Sequence, residues 1–273
     1  MLTFLSVEKP EKKRFFYLKN KISLELKSAE GIDVKHIRYI HRCGKIRYDK
    51  IRKLCGDEAG RILAKEGLNL PESIGLRRFY CDELKVRLCL NMAIAVLKDL
   101  KAFTEKISVA IYDPDGRIAD GAGALLRYTR GLTAVSRMTG MYSAEAERVM
   151  AESGAVLNVS KRMKSLTNSQ LIVAPIKLNC VLPVDKQAVI LTVSPPSVSQ
   201  RCGVYYKYYF NLSEELIKLL PDGFDAEYLA SALYTLCGRY DLGSTVPQAV
   251  KGDGTAHTLV SLSKYLMNIA RNA

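Results

Sequence analysis

Between residues 107 and 193 the chain alternates short β-rich runs with helical stretches, and that alternation most narrows the folds open to it. Residues 107–112 (ISVAIY) form a β-type run ending at the turn Asp113-Pro114-Asp115-Gly116. A helix is expected from about Ile118 to Arg130, closed by Gly131 as its C-cap. Residues 132–136 read as a second strand. Ser143 is expected to cap a helix over residues 144–153, with Glu145 and Glu147 in its favourable first turn and Gly154 as its stop. Residues 155–159, 171–174 and 188–193 read as further strands, the last ending at Ser194-Pro195-Pro196. Strands alternating with helices through short loops imply right-handed crossovers and a parallel sheet.

The flanks differ in character. Residues 22–26 alternate with period two and predict a half-buried strand. The stretch from Gly44 to Leu54 fits strand or helix equally. Asp57 to Lys65 predicts a short helix stopped by Gly67. From Asp82 to about Lys101 a strong helix is expected, since Leu84, Leu88, Met92 and Ala95 make one apolar stripe. The last third reads as helical. Ser213 and Asp225 are caps, Gly238 is a stop, and a terminal helix carries Leu259, Leu262, Leu266 and Ile269 on one face.

The stretches SVAIYDP, GAGALLRYTRG, LTAVSR, SAEAERVMAESGA, SQLIVAP and AVILTVSPP together resemble the shikimate dehydrogenase and glutamyl-tRNA reductase type of NADP-binding Rossmann domain. The resemblance is one of architecture. It covers residues 104–196 by pattern and the rest by order of parts, and it brings no catalytic motif with it. The glycine fingerprint departs from the family. In one register G-x-G-x-x-G would fall on Asp115, Arg117 and Asp120; in the next, Gly116 and Gly121 fit but Ile118 takes the middle position. Asp113, Asp115 and Asp120 crowd the turn where a pyrophosphate would lie, each disfavouring it by about 1 kcal/mol or more. Ser136-Arg137 ends the second strand, where the resemblance implies that Arg137 could meet the 2′-phosphate of NADP. Gly121 and Gly123 also suit close helix–sheet packing.

The formal charge of +13 is unevenly placed: residues 1–101 hold 23 basic and 13 acidic side chains, residues 102–273 hold 18 and 15. The N-terminal cations, including Lys12, Lys13, Arg14, Arg38, Arg42 and Lys45, interleave with Phe15, Phe16, Tyr17, Tyr39 and Tyr48. Single-stranded nucleic acid is bound by such a mixture, and a half-exposed strand has it too. His36 and His41 lie among cations that would lower their pKa, with no carboxylate evident to orient either. Cys43 and Cys55 share that basic neighbourhood, which could activate a thiol, although small buried hydrophobes are the commoner use of Cys. Seven scattered Cys without a C-x-x-C pair, three His without ligand spacing and no signal-peptide or spanning stretch suggest a reduced, cytoplasmic protein without a metal.

The expected fold is α/β: a Rossmann-like parallel sheet unit (104–210), preceded by a smaller basic α+β region (1–103) and followed by C-terminal helices (211–273) that pack back on either. The expected function is binding of a small anionic ligand or a partner, without conventional dinucleotide chemistry, outside the carboxyl ends of the strands. The residues expected there are Asp113, Asp115, Gly116, Arg117, Gly121, Ser136, Arg137, Ser160, Lys161 and Ser194. No catalytic residue and no firm cofactor are assigned. The alternatives are an NADP-dependent oxidoreductase acting on a small anionic substrate, and a nucleic-acid-binding module using the basic N-terminal region.

Overall fold

The computed structural model describes residues 1–8, 20–42 and 44–272. Lys12, Lys13, Arg14, Phe15, Phe16, Tyr17 and Cys43 lie outside the described residues. In chain order the elements are β1 (Leu2–Glu8), β2 (Lys21–Ala29), β3 (Ile32–Ile40), α1 (Tyr48–Cys55), β4 (Leu63–Ala64), α2 (Glu83–Leu100), β5 (Val109–Tyr112), α3 (Ala122–Leu126), β6 (Gly131–Val135), α4 (Thr139–Ser153), β7 (Val156–Ser160), β8 (Leu171–Ala174), β9 (Val189–Thr192), β10 (Gly203–Tyr209), α5 (Glu214–Lys218), α6 (Ala226–Leu236), β11 (Ala249–Gly252), β12 (Ala256–Thr258) and α7 (Leu259–Asn272). Among the described residues no helix is long and apolar enough to cross a membrane.

The chain divides into two units, residues 1–81 with 211–242 and residues 82–210 with 243–273. The first division therefore falls after Cys81, not after residue 103. Helix α2 belongs to the second unit because its apolar stripe packs on β8, β9, β10 and α7.

The first unit is a four-stranded sheet in the order β2-β3-β1-β4, with β1 parallel to β3 and β4 and β2 antiparallel to β3. The apolar run Leu2–Glu8 is one of its two inner strands, and Leu2, Phe4 and Leu5 keep about a hundredth or less of their surface exposed. One core lies between Leu5, Ile37 and Tyr39 of the sheet and Ile51 and Cys55 of α1. On the other side Phe224 meets Phe4 edge-on at 4.8 Å. The helix expected over 57–65 is instead a 3-10 turn (Gly56–Arg61) running into β4. Ile62, Leu63 and Ala64 are all fully buried; Leu63 and Ala64 pair with β1 and Ile62 bridges to Arg78, which suits three consecutive buried residues better than a one-sided helix would.

In the second unit the sheet runs β12-β11-β10-β9-β8-β5-β6-β7. Its strands from β7 to β10 are all parallel, and β11 and β12 continue it antiparallel. Counting β5 as the first strand, the parallel part has the order 3-2-1-4-5-6 of a Rossmann-like fold, whose switch point lies between β5 and β8. Strands β5, β8 and β9 are apolar on both faces, as a doubly covered sheet requires.

Four local expectations are corrected here. The helix expected over 118–130 shrinks to a 3-10 turn (Ala119–Gly121) and the five residues of α3, and Gly131 opens β6 instead of capping a helix. Helix α4 begins at Thr139, so Ser143 lies within it and Glu145 is buried well past its start. The last third is not all helix, because β10, β11 and β12 extend the sheet. On α7 the buried face is Leu262, Ser263, Leu266 and Ala270, with Leu259 and Ile269 only half-buried. The caps of α5 and α6 are as expected: Ser213 Oγ accepts from Leu216 N–H and Asp225 from Glu227 N–H.

Candidate functional site at the sheet switch point

The turn after β5 decides what the second unit can hold. Asp113 is fully buried. Its Oδ2 accepts from Ile118 N–H at 2.9 Å and from the Tyr142 hydroxyl at 2.8 Å. Tyr142 is also fully buried, and burial followed by the Asp113 carboxylate pushes its pKa well up, so it remains a donor. Gly116 turns the chain with φ +74°. A Cβ there would lie 2.8 Å from Met141 Sδ. Ile118, fully buried, then plugs the position that a dinucleotide fingerprint would leave open.

The glycines beyond the turn serve packing. A Cβ on Gly121 would come within 2.6 Å of Leu90 Cδ2, and one on Gly123 within 2.8 Å of Glu145 Oε1. That carboxylate accepts from Gly123 N–H at 3.1 Å and is itself held by Arg148 at 2.7 Å. A phosphate cradle needs outward-pointing amides at the start of a helix. Here two of the amides, those of Ile118 and Gly123, are consumed by the protein's own carboxylates.

Arg117 braces the strand ends to the start of α2. It makes a two-pronged pair with Asp82 at 2.7 and 2.8 Å and donates to the Pro175 carbonyl at 2.8 Å. That pair also explains why Asp82 does not cap α2 with its side chain.

Beyond these braces, a cavity of about 610 Å³ opens at the carboxyl ends of β5, β6, β7 and β8. Tyr112, Val135, Met163, Ile176 and Cys180 give it an apolar lining. Arg117, Arg137, Lys161 and Lys177 supply its cations and Asp115 its carboxylate. Arg137 pairs with Asp115 at 2.6 Å, both well exposed. Lys161 and Lys177 are exposed and form no ion pair among the described residues. Burial, with the Cys180 thiol 3.6 Å away, pushes the Tyr112 hydroxyl up to about 12, so it stays protonated near neutral pH.

The structure thus gathers Asp115, Arg117, Ser136, Arg137 and Lys161 around one cavity. Ser136 is buried, its Oγ accepting from Met138 N–H. Asp113, Gly116 and Gly121 build the turn behind the cavity and do not line it. Ser160 Oγ is taken by Arg162 N–H and the Ser165 hydroxyl. Ser194 lies after β9 outside the lining, its Oγ buried and without a hydrogen-bond partner among the described residues. Sequence reasoning passed over Tyr112, Met163 and the segment Ile176-Lys177-Asn179-Cys180. The available signal was positional: these residues end the first strand, or follow the third and the fourth, and the sheet order brings those ends together.

Elsewhere, several of the residues singled out in the sequence are occupied, although His41 Nδ1 is buried without a hydrogen-bond partner among the described residues. His36 Nε2 is 2.9 Å from Ser6 Oγ, and a carboxylate does face its ring: Glu25 Oε2 lies 3.9 Å from Nδ1. Burial, more than like charge, lowers its pKa, against the opposing pull of Glu25 and Glu8. Burial pushes the Cys55 thiol up to about 11, the reverse of activation. Tyr39 is fully buried with its hydroxyl accepting from Arg47 N–H, so it offers no base-stacking face, and Tyr48 is half-buried. Among the described residues no cluster of His, Cys, Asp and Glu could hold a metal ion.

No protein-family model and no curated protein matches the chain. Among solved structures, an L-tryptophan dehydrogenase from Nostoc punctiforme is similar over 88% of this chain and 78% of its own, at 12% identity and a TM-score of 0.34. The ligand-free 5-ketofructose reductase of a Gluconobacter species is similar over 88% and 89%, at 13% identity and 0.30. An archaeal alanine dehydrogenase dimer with bound NAD is similar over 93% and 87%, at 13% identity and 0.32. Values this low transfer neither cofactor nor activity.

Proposed function

We propose that the chain is a Rossmann-like binding protein whose cavity takes a small organic anion without conventional dinucleotide chemistry. One observation carries this reading. Two of the amides near the turn, those of Ile118 and Gly123, are spent on Asp113 and Glu145, while Lys161 and Lys177, together with the Asp115-paired Arg137, stand at the mouth of an apolar cavity. The cavity is of ordinary size for a small-molecule site. Its apolar floor suits the carbon body of a carboxylate or phosphate ester, and the cations suit its charged end. Nothing in the lining supplies an oriented base and nucleophile, so the reading is one of binding.

A second reading, an NADP-dependent oxidoreductase, is favoured by the place of Ser136 and Arg137 at the end of the second strand. A thermal-shift panel separates the two. Organic monoanions and dianions should raise the melting temperature, and NADP(H) and NAD(H) should not; at a hundredfold excess over Kd the stabilisation is about 2.7 kcal/mol. Lys161→Glu and Lys177→Glu should each abolish the shift. Stabilisation by NADP(H) alone would replace the first reading with the second, and no response to any of these compounds would refute both.

A further inference from the structure

Strand β2 ends in a two-residue turn, Glu30-Gly31, with φ values of 49° and 74° and Ala29 facing Ile32. A two-residue turn of that hand fixes the flanking pair as hydrogen-bonded. Lys27, Glu25, Ser23 and Lys21 therefore direct their amides and carbonyls to β3. Ile22, Leu24, Leu26 and Ser28 direct theirs to the outer edge. Among the described residues no strand pairs with that edge. The pairing with β3 is unbroken over nine residues, with no bulge to disguise it.

The side chains share this one-sided character. Opposite Ile37, which is fully buried, Leu24 is 46% exposed, and Leu26 is 66% exposed. Edge strands are ordinarily protected by central lysines, prolines or bulges. Here the lysines stand at positions 21 and 27, and the middle of the strand is Leu24-Glu25-Leu26.

We infer that a second copy of this chain adds to this edge, β2 against β2, antiparallel about a two-fold axis through Leu26. The sequence is self-complementary in that register. Glu25-Leu26-Lys27 read against itself places each Glu25 opposite the other copy's Lys27 and Leu26 opposite Leu26. The Leu26 pair is of the hydrogen-bonded kind, because Leu26 already points its polar backbone outward. Moving the axis to Leu24 would oppose Lys27 to Lys21 twice, and moving it to Glu25 would oppose Glu25 to itself. The two four-stranded sheets then form one sheet of eight, with the two Leu26 side chains meeting across the junction and each Leu24 opposite the other copy's Ser28.

Opposed residues of a hydrogen-bonded pair have Cα atoms about 5.5 Å apart, within disulfide reach. Leu26→Cys should cross-link to a dimer on oxidation, whereas Leu24→Cys, two positions off the axis, should cross-link far more slowly, as should the wild type. In sedimentation at about 100 μM the wild type should be dimeric, and Leu26→Lys should raise the dissociation constant by about tenfold or more. Lys27→Glu should do the same without touching an apolar residue, and Glu25→Lys with Lys27→Glu should restore the dimer. A monomeric wild type, a dimer indifferent to Lys27→Glu, or equal cross-linking at positions 24 and 26 would overturn the inference. Because Leu26 and Lys27 are surface residues, circular dichroism should confirm that both variants fold.

Discussion

Replacing Asp113 with alanine should be among the most damaging single changes in the second unit. It strips the acceptor from two buried donors, Ile118 N–H at 2.9 Å and the Tyr142 hydroxyl at 2.8 Å. Each orphaned donor costs about 1–3 kcal/mol, so the pair sets a loss near 4 kcal/mol. Removing Asp113 Oδ1, which is buried without a partner, returns about 1 kcal/mol of that. A net loss of about 3 kcal/mol corresponds to a fall in melting temperature of about 6–12 °C for a chain of this size. Tyr142→Phe should cost less, about 1–2 kcal/mol, since only one bond disappears. The sharper test is the double variant. Once the carboxylate is gone the tyrosine hydroxyl is a liability, so Asp113→Ala with Tyr142→Phe should melt no lower than Asp113→Ala alone. Differential scanning calorimetry reads all four proteins. An Asp113→Ala loss below about 1 kcal/mol, or full additivity in the double variant, would show that this carboxylate does not close the turn.

Two further changes probe the same physics elsewhere. In Gly252→Ala the new Cβ would lie 1.7 Å from the Val204 carbonyl oxygen, a backbone atom that cannot step aside; a loss of about 2 kcal/mol or more and faster amide exchange in β10 and β11 are expected. His36 is held neutral in the folded chain, mainly by burial, with its pKa below the ordinary 6.5. Its contribution to stability is therefore full above about 6.5 and is lost as pH falls through its lowered folded value. His36→Gln should flatten the acid limb of a urea-unfolding series between about pH 7 and pH 5, and an unchanged slope would refute that assignment.

Where an element is dictated by its own residues, the sequence announces it. Residues 171–174 and 188–193 are short apolar runs with turn signals on either side, and they are strands β8 and β9. Helix α2 carries its apolar stripe in plain view. Failures come where distant parts decide. Glu145 looks like a first-turn acid until Gly123 N–H is found against it. The sequence around Ile118 looks like a helix start until the Asp113 carboxylate takes its amide. Strand β10 reads weakly because its tyrosines alternate with no clear apolar face, yet β9 and β11 pair with both its edges. The cavity was half legible for the same reason. Residues at the ends of β5 and β6 could be located from the strand pattern, but Lys177 and Cys180 join them only through a sheet order that no linear spacing records.

The chain leaves the first unit at Cys81 and returns to it at Asn211. Phe4 is made well before the ring that covers it, since Phe224 emerges about 220 residues later. At typical ribosomal speeds of about 5–20 residues per second, that gap lasts roughly ten to forty seconds. Through that interval one face of the first sheet is without its own cover, and the nascent protein carries an apolar surface that only a segment made some two hundred residues later can hide.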